Sequence, residues 1–407
     1  MRDKYELTAE TKSAFGYTLH RICALRDIPR FNIRAGDPGG WIAGVHNLSQ
    51  DDDAWVSGDA QVFGDAWVSG NAEVFGNAKV SSNAKVFGKS KVSGDAWVSG
   101  NAEVFGDAKV FGNAKVFCKS KVSGNAKVFG NAKVFDDAEV SGNAEVSGDA
   151  QVSGNAWVYG NAEVFVNAKV FGDAKVFGNA KVLDDAEVSG NAEVSGDAKV
   201  FGDAKVCDNA KVFGNEKVFG HALVYGHAKV CGSDLVYGYA QVFGYAKVFG
   251  SASVYGYAKV YGNSEVSGNA KVCGYATVCG DAKVSDNAKV YDYAVVCGDA
   301  KVCDKDDYMA LKNTWSSGRW FTYTRSNRMW KVGCFYGTGE GLVAKAYKDS
   351  ELSGRCYAEI VRAVEAIYRA IEDAKGNETG TVDATIDSGK QQDQPNLQMT
   401  GKEQYNG

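Results

Sequence analysis

The chain has 407 residues and a formal net charge of −5 with acids and bases nearly balanced, so no global field draws it toward nucleic acid or an anionic membrane. It holds 49 Gly but only 3 Pro, and Pro29, Pro38 and Pro395 all lie outside the central region. That skew excludes an ordinary set of globular domains and points to a repeat whose backbone hydrogen bonds run unbroken. No run of 18 apolar residues occurs and the N-terminus lacks a signal-peptide pattern, so the expectation is a cytoplasmic protein with no membrane span. Of the ten cysteines, six share one repeat position where they alternate with Phe, Ser and Tyr, and they are read as reduced thiols.

Residues 1–53 combine strand-like runs (17–25) with the turn-rich stretch 36–40 and are expected to cap the first coil of a repeat. From Val56 to Val302 every sixth residue is Val, at 42 positions without exception. Two residues before each Val stands Ala in 37 cases; the departures are Ser90, Ser120, Glu216, Asp234 and Ser264. Ala and Val two apart point the same way on a strand, and the residue between them, usually Lys, Glu, Gln or Trp, points out. Gly and Asn/Asp then supply a corner, because Gly tolerates positive φ and Asn/Asp accept local backbone hydrogen bonds. One such unit cannot bury its Val, but three units close a triangle and stacked triangles continue the core. Residues 54–304 therefore predict an all-β solenoid of about 14 triangular coils, roughly 65 Å long at ~4.8 Å per coil. A helix is excluded by a Gly every six residues and a fixed β-branched Val.

After 304 the composition changes. Residues 319–324 and 329–335 predict a hairpin around Ser326 and Asn327. Helical spacing of Tyr357, Ile360, Val361, Val364, Ile367, Tyr368 and Ile371 predicts an amphipathic helix over 349–375. Residues 305–375 thus form a small α+β hairpin-helix module, and the polar segment 376–407 is expected to be disordered.

The spacing of an aliphatic residue and a small residue four positions later resembles the hexapeptide pattern of left-handed parallel β-helix proteins. The leader at 19–27, 35–42 and 47–50, with Gly39, Gly40, Trp41 and Asn47, resembles that of bacterial and prophage hexapeptide-repeat proteins of the acyltransferase type. That resemblance implies a left-handed coil, a homotrimer, and acetyl-CoA as the cofactor of an acyl transfer in which a histidine acts as general base.

The residues themselves lean away from an enzyme. His221 and His227 are the weak catalytic candidates; they lie six apart, on different edges of the prism, and cannot act as a pair. The units carry no inserted loop that would wall an acyl-donor groove. Residues 65–76 recur unchanged at 95–106 and residues 136–150 at 184–198, shifts of 30 and 48 that are not multiples of 18, so each copy lands on another face. No metal site is expected. Lys fills 22 of the 42 outward mid-strand positions, but corner Asp and mid-strand Glu offset it, which weighs against nucleic acid. Tyr239, Tyr257, Tyr275 and Tyr293 lie 18 apart and continue from His221, so they predict an exposed aromatic ladder able to bind a protein or glycan partner. Trp320, Tyr323, Trp330 and Tyr336 form a second aromatic group, read first as the core of the C-terminal module. Cys279 and Cys297, also 18 apart, are read as neighbouring thiols. The reading favoured is a non-enzymatic rod, a structural spacer or multivalent surface; the alternative is an acyl-CoA-dependent acyltransferase.

Overall fold

The computed structural model describes residues 3–315 and 318–379, and the chain divides into two compact units, 1–342 and 343–407. Of the segment 376–407, residues 376–379 end a helix and the remainder lies outside the described residues.

A strand two residues long has no stability of its own, so each must find partners above and below. The repeat supplies them at a fixed distance of 18 residues: Lys79 and Val80 pair in parallel with Trp97 and Val98, which pair with Lys115 and Val116. The strands from Trp55–Val56 to Lys301–Val302 form three such parallel sheets, the faces of one parallel β-solenoid. Every repeat Val is fully buried, as is every repeat Ala. At roughly 1.5–3 kcal/mol per buried Val, the stacked interior supplies the stability that no single unit has.

The ladder is uneven in direction. The N–H groups on either side of each Val donate to carbonyls of the next coil, as from Lys79 to Ala96 (2.8 Å) and Ser81 to Val98 (2.9 Å), while in this parallel register the Val N–H, as at Val98 opposite Val80, donates back to the coil before. The first coil is therefore left mainly with bare carbonyls and the last mainly with bare N–H groups, which need opposite partners. At the start, an antiparallel hairpin of β1 (Tyr5–Ala14) and β2 (Tyr17–Ala24) leads to β3 (Pro38–Ile42), which adds to the solenoid in parallel. Trp41, Ala43 and Ser49 donate backbone N–H groups to Ala60, Val62 and Val68 (2.9–3.0 Å). Asn47 Nδ2 donates to the carbonyls of Gly64 (2.8 Å) and Ala66 (2.9 Å), and buried Lys4 Nζ donates to that of Ala54 (2.6 Å). Burial lowers the Lys4 pKa to about 8, with Asp52 opposing the shift. Residues 41–49 thus continue the coil, and the solenoid has about 15 turns where the repeat alone predicts 14.

The far end receives acceptors for those N–H groups, and a donor where Tyr308 Oη bonds the carbonyl of Lys289 (3.0 Å). Thr322 Oγ1 accepts from Val295 N–H (2.9 Å), Ser326 Oγ from Lys301 (2.6 Å), Asp307 Oδ2 from Cys303 (2.6 Å) and Tyr308 Oη from Tyr291 (3.4 Å). These side chains come from or beside a four-stranded antiparallel sheet, in order Tyr308–Lys312, Trp320–Thr324, Met329–Val332 and Phe335–Gly337. The expected hairpin is its central pair, with Phe321 opposite Val332 and Thr324 opposite Met329. Two helices come next, Gly339–Asp349 and Glu351–Thr379. The second holds the predicted buried stripe of Tyr357, Val361, Val364 and Tyr368; the first went unseen because it is only 11 residues long and opens on two glycines.

The corner Gly has two duties. Its φ is positive, +72° at Gly106, and a Cβ there would lie 2.9 Å from the nitrogen of Gly124 in the next coil. Asp136, Asp184 and Asp208 replace it at φ of about 60° and compensate: each carboxylate accepts the N–H of the Gly one coil on, at 3.2, 3.1 and 3.0 Å. Val166 occupies the same position at φ 65° with a β-branched apolar side chain that can take no such bond. Cys279 and Cys297, expected as free thiols, instead form a disulfide, because the coil spacing sets their Cα atoms 4.7 Å apart, inside the range that bridges without backbone movement.

This geometry makes two predictions. Val166→Gly should stabilise the protein by about 1 kcal/mol, the cost of a left-handed β-branched residue less the entropy of the added Gly, read from the urea midpoint of local unfolding. A chain cut back to 54–304 exposes carbonyls at one end and N–H groups at the other, so it should grow head-to-tail filaments visible by electron microscopy. Chains cut at one end only should not elongate.

Candidate functional site

The corner that comes before the strand at Leu223–Val224 changes character along the axis. In the lower coils it carries amide and carboxylate ladders, with Asn131 Nδ2 donating to Asp149 Oδ1 (3.0 Å) and Asn167 to Asp185 (3.1 Å). It then reaches Asp203, whose carboxylate lies 3.2 Å from His221 Nδ1. From His221 upward the column is aromatic. His221 stacks on Tyr239 at 4.6 Å, and Tyr239, Tyr257, Tyr275 and Tyr293 continue at 4.8–4.9 Å with ring planes within 4°. All four tyrosines are about half exposed. The column ends on Trp320 of the C-terminal sheet, 5.2 Å from Tyr293, a member that no 18-residue count could supply because it lies outside the repeat.

Two further ladders flank it. Phe201, Phe219, Tyr237 and Tyr255 stack two residues before the first column. Tyr225, Phe243 and Tyr261 stack at the next corner, and their column continues into the Cys279–Cys297 bond. His227 stacks on Tyr245 at 4.8 Å at that second corner, so the two histidines belong to separate columns. Between the two corners the outward strand positions are Leu223, Gln241, Lys259, Thr277 and Val295. These side ladders were equally legible at a spacing of 18, but they stand at the position after Val, which varies so widely among Phe, Ser, Tyr and Cys that it reads as drift.

The second aromatic group separates. Trp330 is fully buried and Tyr323 nearly so, with rings 5.0 Å apart in the sheet core. Tyr336 Oη donates to the carbonyl of Cys297 (3.1 Å) and is part of the end cap. His46 Nε2 lies 2.9 Å from the Gly64 carbonyl at the other end. Among the described residues no three His, Cys, Asp or Glu side chains converge as a metal site.

The interior holds one polar anomaly. Ser90, Ser120 and Ser264 replace the inward Ala and satisfy their hydroxyls, as Ser90 Oγ does with the carbonyls of Phe87 (2.9 Å) and Val104 (3.2 Å). Glu216 and Asp234 replace it one coil apart and are also fully buried, but both Glu216 oxygens and Asp234 Oδ2 have no partner. The adjoining corners widen, with φ +108° at Gly214, +124° at Gly232 and +94° at Gly250 against about +70° at most other corners. Burial, with the Asp234 charge adding to it, pushes Glu216 up to about 8. Burial likewise pushes Asp234 up to about 7 against the N–H groups of Ala252 and Cys231. Cys231 nearby is raised by burial and by the charges of Asp234 and Glu216, with Lys229 and Lys247 opposing the shift.

A comparison with protein families matches residues 150–164 to the YdcK beta solenoid repeat. A comparison with curated proteins finds no match. The matched stretch lies wholly within the solenoid and agrees with its fold. No helix among the described residues is long and apolar enough to cross a membrane.

The buried acids give a pH dependence of definite sign. Their folded pKa values stand above the ordinary range near 4, so between pH ~4 and ~8 the unfolded chain has released protons that the folded one keeps. Stability should fall as pH rises through that window and level off above it. Replacing both acids by the repeat's own Ala (Glu216→Ala with Asp234→Ala) should raise the melting temperature at pH 9 and leave it nearly unchanged at pH 4, a gain on the order of a few kcal/mol. Equal gains at both pH values would assign the effect to packing instead.

Proposed function

We propose that this β-solenoid repeat protein is a non-enzymatic rod, a spacer of tolerant length that carries a multivalent binding strip along its C-terminal third. The observation that carries the reading is the run of coils with no inserted loop, closed at each end by a cap of matching hydrogen-bond polarity. Such a stack offers corners and flat faces, and its length changes by one coil for every 18 residues gained or lost. The sequence duplications, at 30 and 48 residues, alter faces but keep the ladder intact, which suits a part selected for length and surface.

The acyltransferase alternative rests on His221. Asp203 beside Nδ1 would orient such a ring to act as a base. Both side chains are about half exposed on a corner, however, and Tyr239 covers one face of the imidazole. That is poor shelter for an acyl donor.

Calorimetry separates the two. The rod binds no acetyl-CoA at millimolar ligand; micromolar binding lost in His221→Ala would establish the transferase. Removing residues 126–179, three whole coils, should shorten the solenoid by about 14 Å in small-angle scattering while leaving a single folded species by circular dichroism. Collapse of the fold on this deletion would count against a spacer of tolerant length.

A further inference from the structure

The face between the two aromatic corners differs from the rest of the solenoid in charge. Lower on the same sheet its outward strand positions are Lys115, Lys133, Gln151, Lys169, Glu187 and Lys205. From Leu223 upward Lys259 is the one charged residue among five. Aromatic columns border this stretch on both sides as far as Tyr261, and above it on the tyrosine side alone, so charge loss and aromatic gain coincide over these coils. Depletion of charge with enrichment of Tyr marks a contact surface.

The stacking restricts what can be contacted. Rings 4.8–4.9 Å apart and nearly parallel cover one another's faces, so no nucleobase or other planar group can enter the column. What the column offers is a row of tyrosine edges and hydroxyls, one per coil, with Gln241 and Thr277 beside them. Each is both donor and acceptor without charge. The strip is about 24 Å long at ~4.8 Å per coil and about 13 Å wide at ~3.3 Å per residue, hence about 300 Å². A stable protein partner needs roughly 800 Å² per side. The strip suits something narrower.

It also continues downward. A shallow groove of about 420 Å³ runs along the same two columns below His221, lined by Asp149, Gln151, Asn167, Asp185, Glu187 and Asp203 together with Lys169 and Lys205. Both lysines are engaged with Glu187, at 3.7 and 3.0 Å, which leaves the aspartates to set the field. An anionic polymer is repelled from this track.

We infer that the track from the Asp149 groove to Trp320 binds a linear, uncharged glycan laid along the solenoid axis, its hydroxyls read by the tyrosine edges and the groove's amides and carboxylates. The inference rests on the rod reading in taking this strip as the working surface. Repetition of one hydroxyl per coil fits a polymer of repeating hydroxylated units better than the irregular surface of a protein.

The test uses the full chain in native gels containing laminarin, hydroxyethylcellulose or soluble starch, with alginate as the anionic control. The variant carries Tyr239→Asn, Tyr257→Asn, Tyr275→Asn and Tyr293→Asn, substituting the residue that the same column holds at Asn113 and Asn131. Light scattering and thermal melting report its mass and fold. The expected result is retardation by at least one neutral glucan, none by alginate, and at least tenfold weaker retardation of a variant that melts normally. Absence of retardation by all three glucans, retardation by alginate alone, or undiminished retardation of the variant would overturn the inference. So would a doubled mass that the variant abolishes, since the strip would then pair two copies. Should the variant fail to fold, Trp320→Ala and Gln241→Ala carry the same prediction at the strip's end and middle. Acetyl-CoA calorimetry is independent of every one of these outcomes, so a failed glycan assay with silent calorimetry removes the ligand and spares the rod.

Discussion

The structure depends on a hydrogen-bond ladder that is uneven in direction. Asn77, Lys79 and Ser81 give their N–H groups to the coil above, while the Val N–H groups go to the coil below. Parallel strands two residues long can exist only in such a stack, and the stack in turn dictates the rest. Its interior admits Val and Ala, its corners need positive φ and close backbone approach, and its two ends differ chemically. The N-terminal cap answers carbonyls with Lys4, Asn47 and backbone N–H groups, and the C-terminal sheet answers N–H groups with Thr322, Ser326 and Asp307. A cap of the wrong polarity would leave buried groups unpaired at about 1–3 kcal/mol each.

Stacking in strict register makes the surface a set of columns. Equivalent positions meet one another at about 4.8 Å, so Asn meets Asn or Asp, Lys meets Lys or Glu and Tyr meets Tyr. Asn125 donates to Asn143, which donates to Asn161, and Lys127 pairs with Glu145 at 2.7 Å. The exposed ion pairs add little individually. A change of composition over a few coils therefore converts directly into a change of one face, and this is how the upper third acquires an aromatic, weakly charged strip without any change of register.

The core tolerates exceptions because its energetics are local. A coil interacts with its two neighbours and no others, so the unsatisfied Glu216 and Asp234 burden one stretch of the solenoid while the ladder continues on both sides. The serines at the same inward position incur no such cost, since a hydroxyl reaches two carbonyls. Asp136, Asp184 and Asp208 at the corner Gly are likewise self-compensating, whereas Val166 has only the packing around it.

The sequence by itself determined the solenoid, its three faces, the inward Val and Ala, and which residues share a column, because a period of six with a coil of 18 leaves no freedom in register. It also placed His221 and His227 apart and aligned the four tyrosines. Tertiary structure alone decided the fifteenth turn, in which residues 41–49 bond to the first coil without obeying the repeat, and the polarity-matched caps, whose partners lie 25 or more residues away for Thr322 and Ser326. It also decided the seating of Trp320 on the tyrosine column and the bonding of Cys279 to Cys297. Those features depend on where chain outside the period comes to rest, or on whether adjacent atoms bond, and a repeat carries no information about either.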